Sequence, residues 1–352
     1  MMKRILLCLL ALACLCPAAL AENDGNCVYT LADADGRPIT TRAGRIYAGD
    51  EYISSDNILY RVSFVDDEKC IATAEEIGPS AADTAAFARF MDASAAQAAD
   101  KKLICMYSTH SDESYVPDDG ASSLWEDAGI YDVGNALKEN LEKKGITVEY
   151  SEESFLPHDA GAYKRSRSTV EEFVKKAPDA IIDIHRDGVD ADEYETEVKG
   201  EDTSMVRLFV GRSNPNAAEN KAFAQRLKAA ADKAYPGLIK DIFIGKGNYN
   251  QELYPQAILL EFGTYEIEKD KAISATEYMA DVIDEVLFGP GAAAATTKKN
   301  TNAATGIFWA VGAAGAAAAV YALASTGKFG GAWQKLKSSA GEMTAGLFGK
   351  KK

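Results

Sequence analysis

Two histidines and a few acids hold the chain's most reactive pattern. His110 follows the apolar run Leu103, Ile104, Cys105, Met106 in STHSDESY (108–115), with Asp112 and Glu113 just beyond it. His185 closes the apolar run of DIHRDG, and Glu261 sits inside ILLEFG. The whole sequence has only three histidines, and two of them fall where buried strands should end. Two imidazoles and one carboxylate make a zinc-binding set with a fourth position left for water, and a further carboxylate beside it takes that water's proton. On this reading His110, His185 and one glutamate are ligands and Glu261 is the base. Burial among Ile258, Leu259, Leu260 and Phe262 would be costly for an unpartnered carboxylate and would raise its pKa toward a general base's range. A lone strand-end histidine is more often a surface group, and strand-end acids are often caps or ion-pair partners. The conjunction carries the reading.

These groups need a scaffold that delivers strand ends to one place. KLICMYSTH, ITVEY, DAIIDIH, MVRLFVGR and QAILLEFG read as strands; VGNALKENLEKKG, SRSTVEEFVKKAP, PNAAENKAFAQRLKAAADKAY and KDKAISATEYMADVIDEVLF read as helices. Consecutive βα units predict an α/β domain over residues 103–288, a mostly parallel twisted sheet flanked by helices with its site at the strands' carboxyl ends. Residues 22–78, rich in turns and short β-prone runs, predict a small all-β module without catalytic spacing; 79–102 read as a linker or helix.

Other chemistries fit poorly. The net charge of −15 argues against a nucleic-acid partner. Cys105 belongs inside a strand, and no G-x-S-x-G elbow, P-loop or G-x-G-x-x-G follows a strand; GKGNYN (245–250) lacks the spacing. Three of the six cysteines fall in the first 21 residues. Of the rest, Cys27 and Cys70 are able to pair if oxidised, and none has zinc-thiolate spacing.

The termini predict export and anchorage. Residues 1–21 have a basic start, an apolar stretch and Ala19-Leu20-Ala21, the pattern of a cleaved signal peptide, with a lipoprotein-type cut before Cys14 as the alternative. Residues 289–305 read as a flexible linker, 306–325 as an uncharged transmembrane helix, and 326–352 as a basic cytoplasmic tail. The expected localisation is extracytoplasmic, with the membrane reached through the C-terminal helix.

The series YSTHSDESYVP, YDVGNALKENLEKKGITVEY, HDAGAYKRSRSTVEEFVKKAPDAIIDIHRDG and AILLEFGTYE resembles the catalytic domain of the stage II sporulation protein P family, relatives of the zinc-dependent N-acetylmuramoyl-L-alanine amidases. YKRSRSTV followed by DIHRD is the specific part. The resemblance implies an amidase-like fold, a Zn2+ cofactor, and cleavage of peptidoglycan at the amide between muramic acid and its stem peptide or at peptide cross-links. It implies His110 and His185 as zinc ligands and Glu261 as the catalytic glutamate. Glu113, in T-H-x-x-E-S, is the implied acidic ligand, with Glu126 as its rival. His158, Tyr163, Arg165, Arg167 and Arg186 fall at positions around the substrate; for the arginines, helix packing or pairing with Asp183 or Asp187 is the other reading. A lytic transglycosylase partner is implied as well, although members of the sporulation branch usually carry an amino-terminal anchor in place of the layout read here. The alternative is a non-catalytic cell-wall-binding or scaffold protein on the same fold.

Overall fold

The computed structural model describes residues 27–80 and 102–289. Its strands are β1 (Val28–Ala32), β2 (Pro38–Ala43), β3 (Glu51–Ile53), β4 (Ile58–Asp66), β5 (Ile71–Pro79), β6 (Leu103–Tyr107), β7 (Thr147–Tyr150), β8 (Ala180–Asp187), β9 (Glu195–Val198), β10 (Glu201–Ser204), β11 (Val206–Gly211), β12 (Ile239–Gly245) and β13 (Ala257–Thr264). The α-helices are α1 (Val116–Asp119), α2 (Gly129–Glu142), α3 (Ala162–Lys175), α4 (Ala217–Ala234) and α5 (Lys269–Phe288). Eleven strands form one sheet, ordered β2-β1-β5-β4-β3-β12-β11-β13-β8-β6-β7, and β9 and β10 pair separately.

The period of two along each strand sorts the apolar side chains onto two faces. On one, Ile104, Met106, Ile182, Ile184, Ile258 and Leu260 pack with Leu137 of α2, Phe223 of α4 and Met279 of α5. On the other, Leu103, Cys105, Tyr107 and Ile181 meet Val170 and Phe173 of α3. Farther along that second face, Phe209, Phe243 and Leu259 meet Tyr29, Leu31, Tyr52 and Val62 of the N-terminal strands. Helix α3 and the N-terminal strands therefore cover the second face from two sides. The carboxyl ends of β8 and β13 share that face, since 183, 185 and 187 follow the parity of Ile181, and 261 that of Leu259.

Two features of the expected fold class are corrected. The sheet is mixed: five neighbouring pairs run parallel and five antiparallel. Parallel neighbours need a crossover, usually a helix. The chain instead returns from β8 through the β9–β10 hairpin, so β11 runs against β13. Strand β12, absent from the sequence reading, then pairs antiparallel with β3, which joins the all-β region to the main sheet as its continuation. Secondly, among the described residues no helix is long and apolar enough to cross a membrane. No helix among the described residues thus supplies the expected C-terminal anchor, which corrects the anchored localisation drawn from it. Residues 1–21 and 306–325, on which the signal peptide and membrane helix were read, lie outside the described residues.

The N-terminal strands are fixed by a disulfide between Cys27 and Cys70 and by a buried ionic network at their junction with the sheet. Arg207, 0% exposed, donates to Asp241 through Nε at 2.8 Å and Nη2 at 2.9 Å, and to Asp187 through Nη1 at 2.6 Å. Its Nη2 also donates to Thr40 Oγ1 at 3.0 Å and the Thr41 carbonyl at 2.9 Å on β2. Removing one partner from such a network leaves the others charged and buried, at about 3–5 kcal/mol. Arg207→Met is therefore expected to lower unfolding free energy by about that amount in chemical denaturation, and adding Asp241→Asn is expected to recover part of the loss. A loss below about 1 kcal/mol would show that water already screens the cluster.

Candidate metal centre

Three side chains from two segments converge at the ends of β6 and β8. Glu113 Oε1 lies 3.2 Å from His110 Nδ1 and 3.3 Å from His185 Nδ1. One atom from each of the three residues lies within 4.8 Å of the others, the only such group of three or more among the described residues. A tight turn brings Glu113 back, its amide donating to the His110 carbonyl at 3.2 Å. The second carboxylate oxygen of Glu113 accepts the Arg186 amide at 2.9 Å, which fixes its rotamer.

Asp183, two residues upstream on the same face, supports the pair. Its carboxylate accepts the Thr109 amide and hydroxyl, each at 2.8 Å, tying the exit of β6 to β8. The same carboxylate lies 3.0 Å from His185 Nε2, out of line for a hydrogen bond, so that buried nitrogen has no aligned partner. A carboxylate oxygen shared by the Nδ1 atoms of two imidazoles is a donor set that suits zinc.

Burial and mutual charge shift all three groups. Burial alone would raise the Glu113 carboxyl, but His185, His110 and Arg186 outweigh it and hold it well below the usual range. Burial pushes His110 down, with His185 adding to the fall and Glu113 opposing it. His185 is carried the other way: burial disfavours its charge, yet Asp183 and Glu113 raise it well above an ordinary histidine.

Glu261 lies beside His185 in the β13–β8 register and opposite Arg207 in the β11–β13 register. Its Oε2 is buried without a hydrogen-bond partner. Burial, then the charge of Asp187, push it up to about 8, against the pull of His185. Past it the register shifts before Thr264, at Gly263 with φ 73°, where a Cβ would lie 2.1 Å from Ile267 Cδ1. Only glycine serves this irregular strand end.

The remaining sequence candidates fall into groups. His158 stacks on His110 with ring centroids 3.9 Å apart, and its Nδ1 lies 3.0 Å from Asp112 Oδ1. Tyr163 meets the His110 ring edge-on at 5.5 Å. Arg165 and Arg167 take acidic partners other than Asp183 or Asp187: Arg165 pairs with Asp159 and donates to the Phe155 carbonyl, while Arg167 pairs with Glu171 and Glu252. Arg186 donates to the carbonyls of Ser114 at 3.3 Å and Ser122 at 2.6 Å. Glu126 is exposed and stands outside the metal-competent group.

Sequence reasoning assigned no site role to Asp187, Arg207, Tyr249 or Asn250. Asn250, in the left-handed region at φ 55°, donates to the Tyr163 carbonyl and Ser166 Oγ, both at 3.0 Å, and the Tyr249 ring lies 5.2 Å from that of Tyr163. The polar turn GKGNYN carried the signal, since asparagine tolerates that conformation; its role appears only once α3 is packed beside it.

Residues 60–284 match the family Stage II sporulation protein P (SpoIIP). Stage II sporulation protein P of Bacillus subtilis (strain 168) is 32% identical over 222 residues, 57% of this chain and 55% of the relative, so the chain spans about half the length of that curated protein. Among solved structures, the N-acetylmuramoyl-L-alanine amidase from Clostridium difficile 630 is similar at TM-score 0.34 and 14% identity, over 53% of this chain and 94% of that one. The CwlD amidase from Clostridioides difficile, solved in complex with the GerS lipoprotein, is similar at TM-score 0.35 and 13% identity, over 54% and 96%.

An acid whose folded pKa is raised keeps a proton that the unfolded chain has released, so it destabilises the fold increasingly as pH climbs between the two values. For Glu261 that window runs from 4.5 to about 8. In chelator-treated protein, Glu261→Gln is expected to raise stability at pH 8 by about 1–3 kcal/mol and to change it little near pH 4.5. Thermal unfolding at both pH values checks this; equal effects at the two would place the carboxyl in water.

Proposed function

The chain belongs to the stage II sporulation protein P family, and from that premise we propose that it is a zinc-dependent peptidoglycan hydrolase that cleaves an amide bond. The single observation that carries the proposal is the His110–Glu113–His185 donor set with Glu261 beside it in register. His110, Glu113 and His185 are the residues that would hold the ion. When bound, zinc would supply a Lewis acid that polarises water and the amide carbonyl.

The protein's own groups do the rest. Glu261 takes a proton from the attacking water and returns it to the leaving nitrogen, so that a C–O bond forms, the C–N bond breaks, and a carboxylic acid and an amine leave. Burial and Asp187 raise this carboxyl in the metal-free protein, and a raised carboxylate is the stronger base. The Arg186 amide keeps Glu113 oriented, and the Asp183 carboxylate lies 3.0 Å from the far nitrogen of His185. His158 and Tyr163, whose rings lie against that of His110, would flank the scissile bond.

Digestion of purified peptidoglycan, with products identified by mass, distinguishes the bonds: an amidase frees intact stem peptides from muramic acid, whereas an endopeptidase opens cross-links. Metal analysis is expected to find one zinc per chain. His110→Ala and His185→Ala are expected to lose both metal and activity. Glu113→Gln should weaken zinc binding where Glu126→Gln leaves it unchanged. Glu261→Gln should keep its zinc and lose about 10²- to 10⁴-fold in rate; full activity in that variant would remove Glu261 from the chemistry.

A further inference from the structure

We propose that Trp125 is a stacking platform for the glycan chain beside the proposed hydrolytic centre, a role that rests on the hydrolase reading. Trp125 is 76% exposed, an unusual placement for the side chain with the most apolar area to hide. The loop presenting it is firmly held. The Leu124 amide donates to the Asp112 carbonyl at 2.8 Å, the Ser114 amide to the Ser122 carbonyl at 3.0 Å, and Glu113 and Ser123 form an isolated antiparallel bridge. Ser123 Oγ also donates to the Asp112 carboxylate, which holds His158 over His110. The indole thus stands two residues from the backbone partner of Glu113, and the ordering cost of a rigid ring is already met before a ligand arrives.

The surroundings select the ligand. From Val116 to Asp127 the loop carries no basic residue, and exposed Glu126 and Asp127 follow the indole directly. Such a rim repels carboxylate-bearing peptide and suits a neutral partner. The Ser122-Ser123 pair shortly before it adds hydroxyls to the same loop as the apolar ring. A flat, exposed apolar ring matches an N-acetylated sugar, whose C–H face and acetyl methyl pack on it while its hydroxyls stay in water. Tyr265 borders the same loop. Its carbonyl accepts the Val116 amide at 2.8 Å, and the Arg186 guanidinium that braces the loop lies 5.7 Å from its ring centroid.

The full-length zinc-loaded protein and its Trp125→Ala and Trp125→Phe variants test this with two probes. The first is a chitin-type N-acetylglucosamine oligomer, followed by tryptophan fluorescence and calorimetry. Wild type is expected to bind with a fluorescence change, Trp125→Ala about tenfold more weakly without that change, and Trp125→Phe in between. The second is intact peptidoglycan, on which Trp125→Ala should raise KM about five- to tenfold with kcat and zinc content unchanged. Equal oligomer affinity in wild type and Trp125→Ala, or a loss confined to kcat, would overturn the platform. Oligomer binding by Trp125 in a protein that releases no peptidoglycan product would instead sink the hydrolase reading and leave the platform standing.

Discussion

A single buried guanidinium lets this sheet carry so many acids on one face. Asp187 and Asp241 are buried and converge on Arg207, while Asp183, Glu113 and Glu261 gather a strand or two away. Without Arg207 the face would hold several desolvated carboxylates and little positive charge, a loss of about 3–5 kcal/mol against the small net stability of a domain. Arg207 neutralises the half nearest the N-terminal strands. The half nearest His110 and His185 gathers Asp183, Glu113 and Glu261 around the two imidazoles, a setting that would favour a cation.

The same guanidinium makes the N-terminal strands part of the site's architecture. It directs one nitrogen at Thr40 and Thr41 of β2, and Asp187, which it holds, also accepts the Ala43 amide and the Tyr194 hydroxyl. Asp187 in turn sets much of the potential at Glu261. The β-strands that cover the second face thus reach the proposed base through two ionic contacts. Strands β1 to β3 precede the residues matched to the family, yet the sheet would lose this wall without them.

Much of the local structure was legible. The unbroken apolar runs of β6, β8 and β13 could only be buried strands, and the acids and histidines after them stood out because polar groups beside such runs need a reason. His110, Glu113 and His185 do meet in space. Two kinds of information were not legible. Strand direction failed because an αβ alternation suggests crossovers, and the β9–β10 hairpin replaces one with a reversal. Arg207 failed because MVRLFVG looks like a strand with one outward-facing charge; only pairing with Asp187 and Asp241, 20 and 34 residues away, turns that charge inward.

The sequence by itself determined the strands and helices that carry the candidate residues, though not β9, β10 or β12, and which few residues have the chemistry to bind a metal and move a proton, because period and residue type are local properties. The tertiary structure decided which acid joins the two histidines. Glu113 and Glu126 are equivalent as chemical types, but the turn after His110 folds one carboxylate between the imidazoles and leaves the other in solvent. It also set how far Glu261 is raised beyond what an apolar setting implied: burial, then Asp187, push it up while His185 and Arg207 pull it back, charges brought near by strand pairing and not by proximity in the chain.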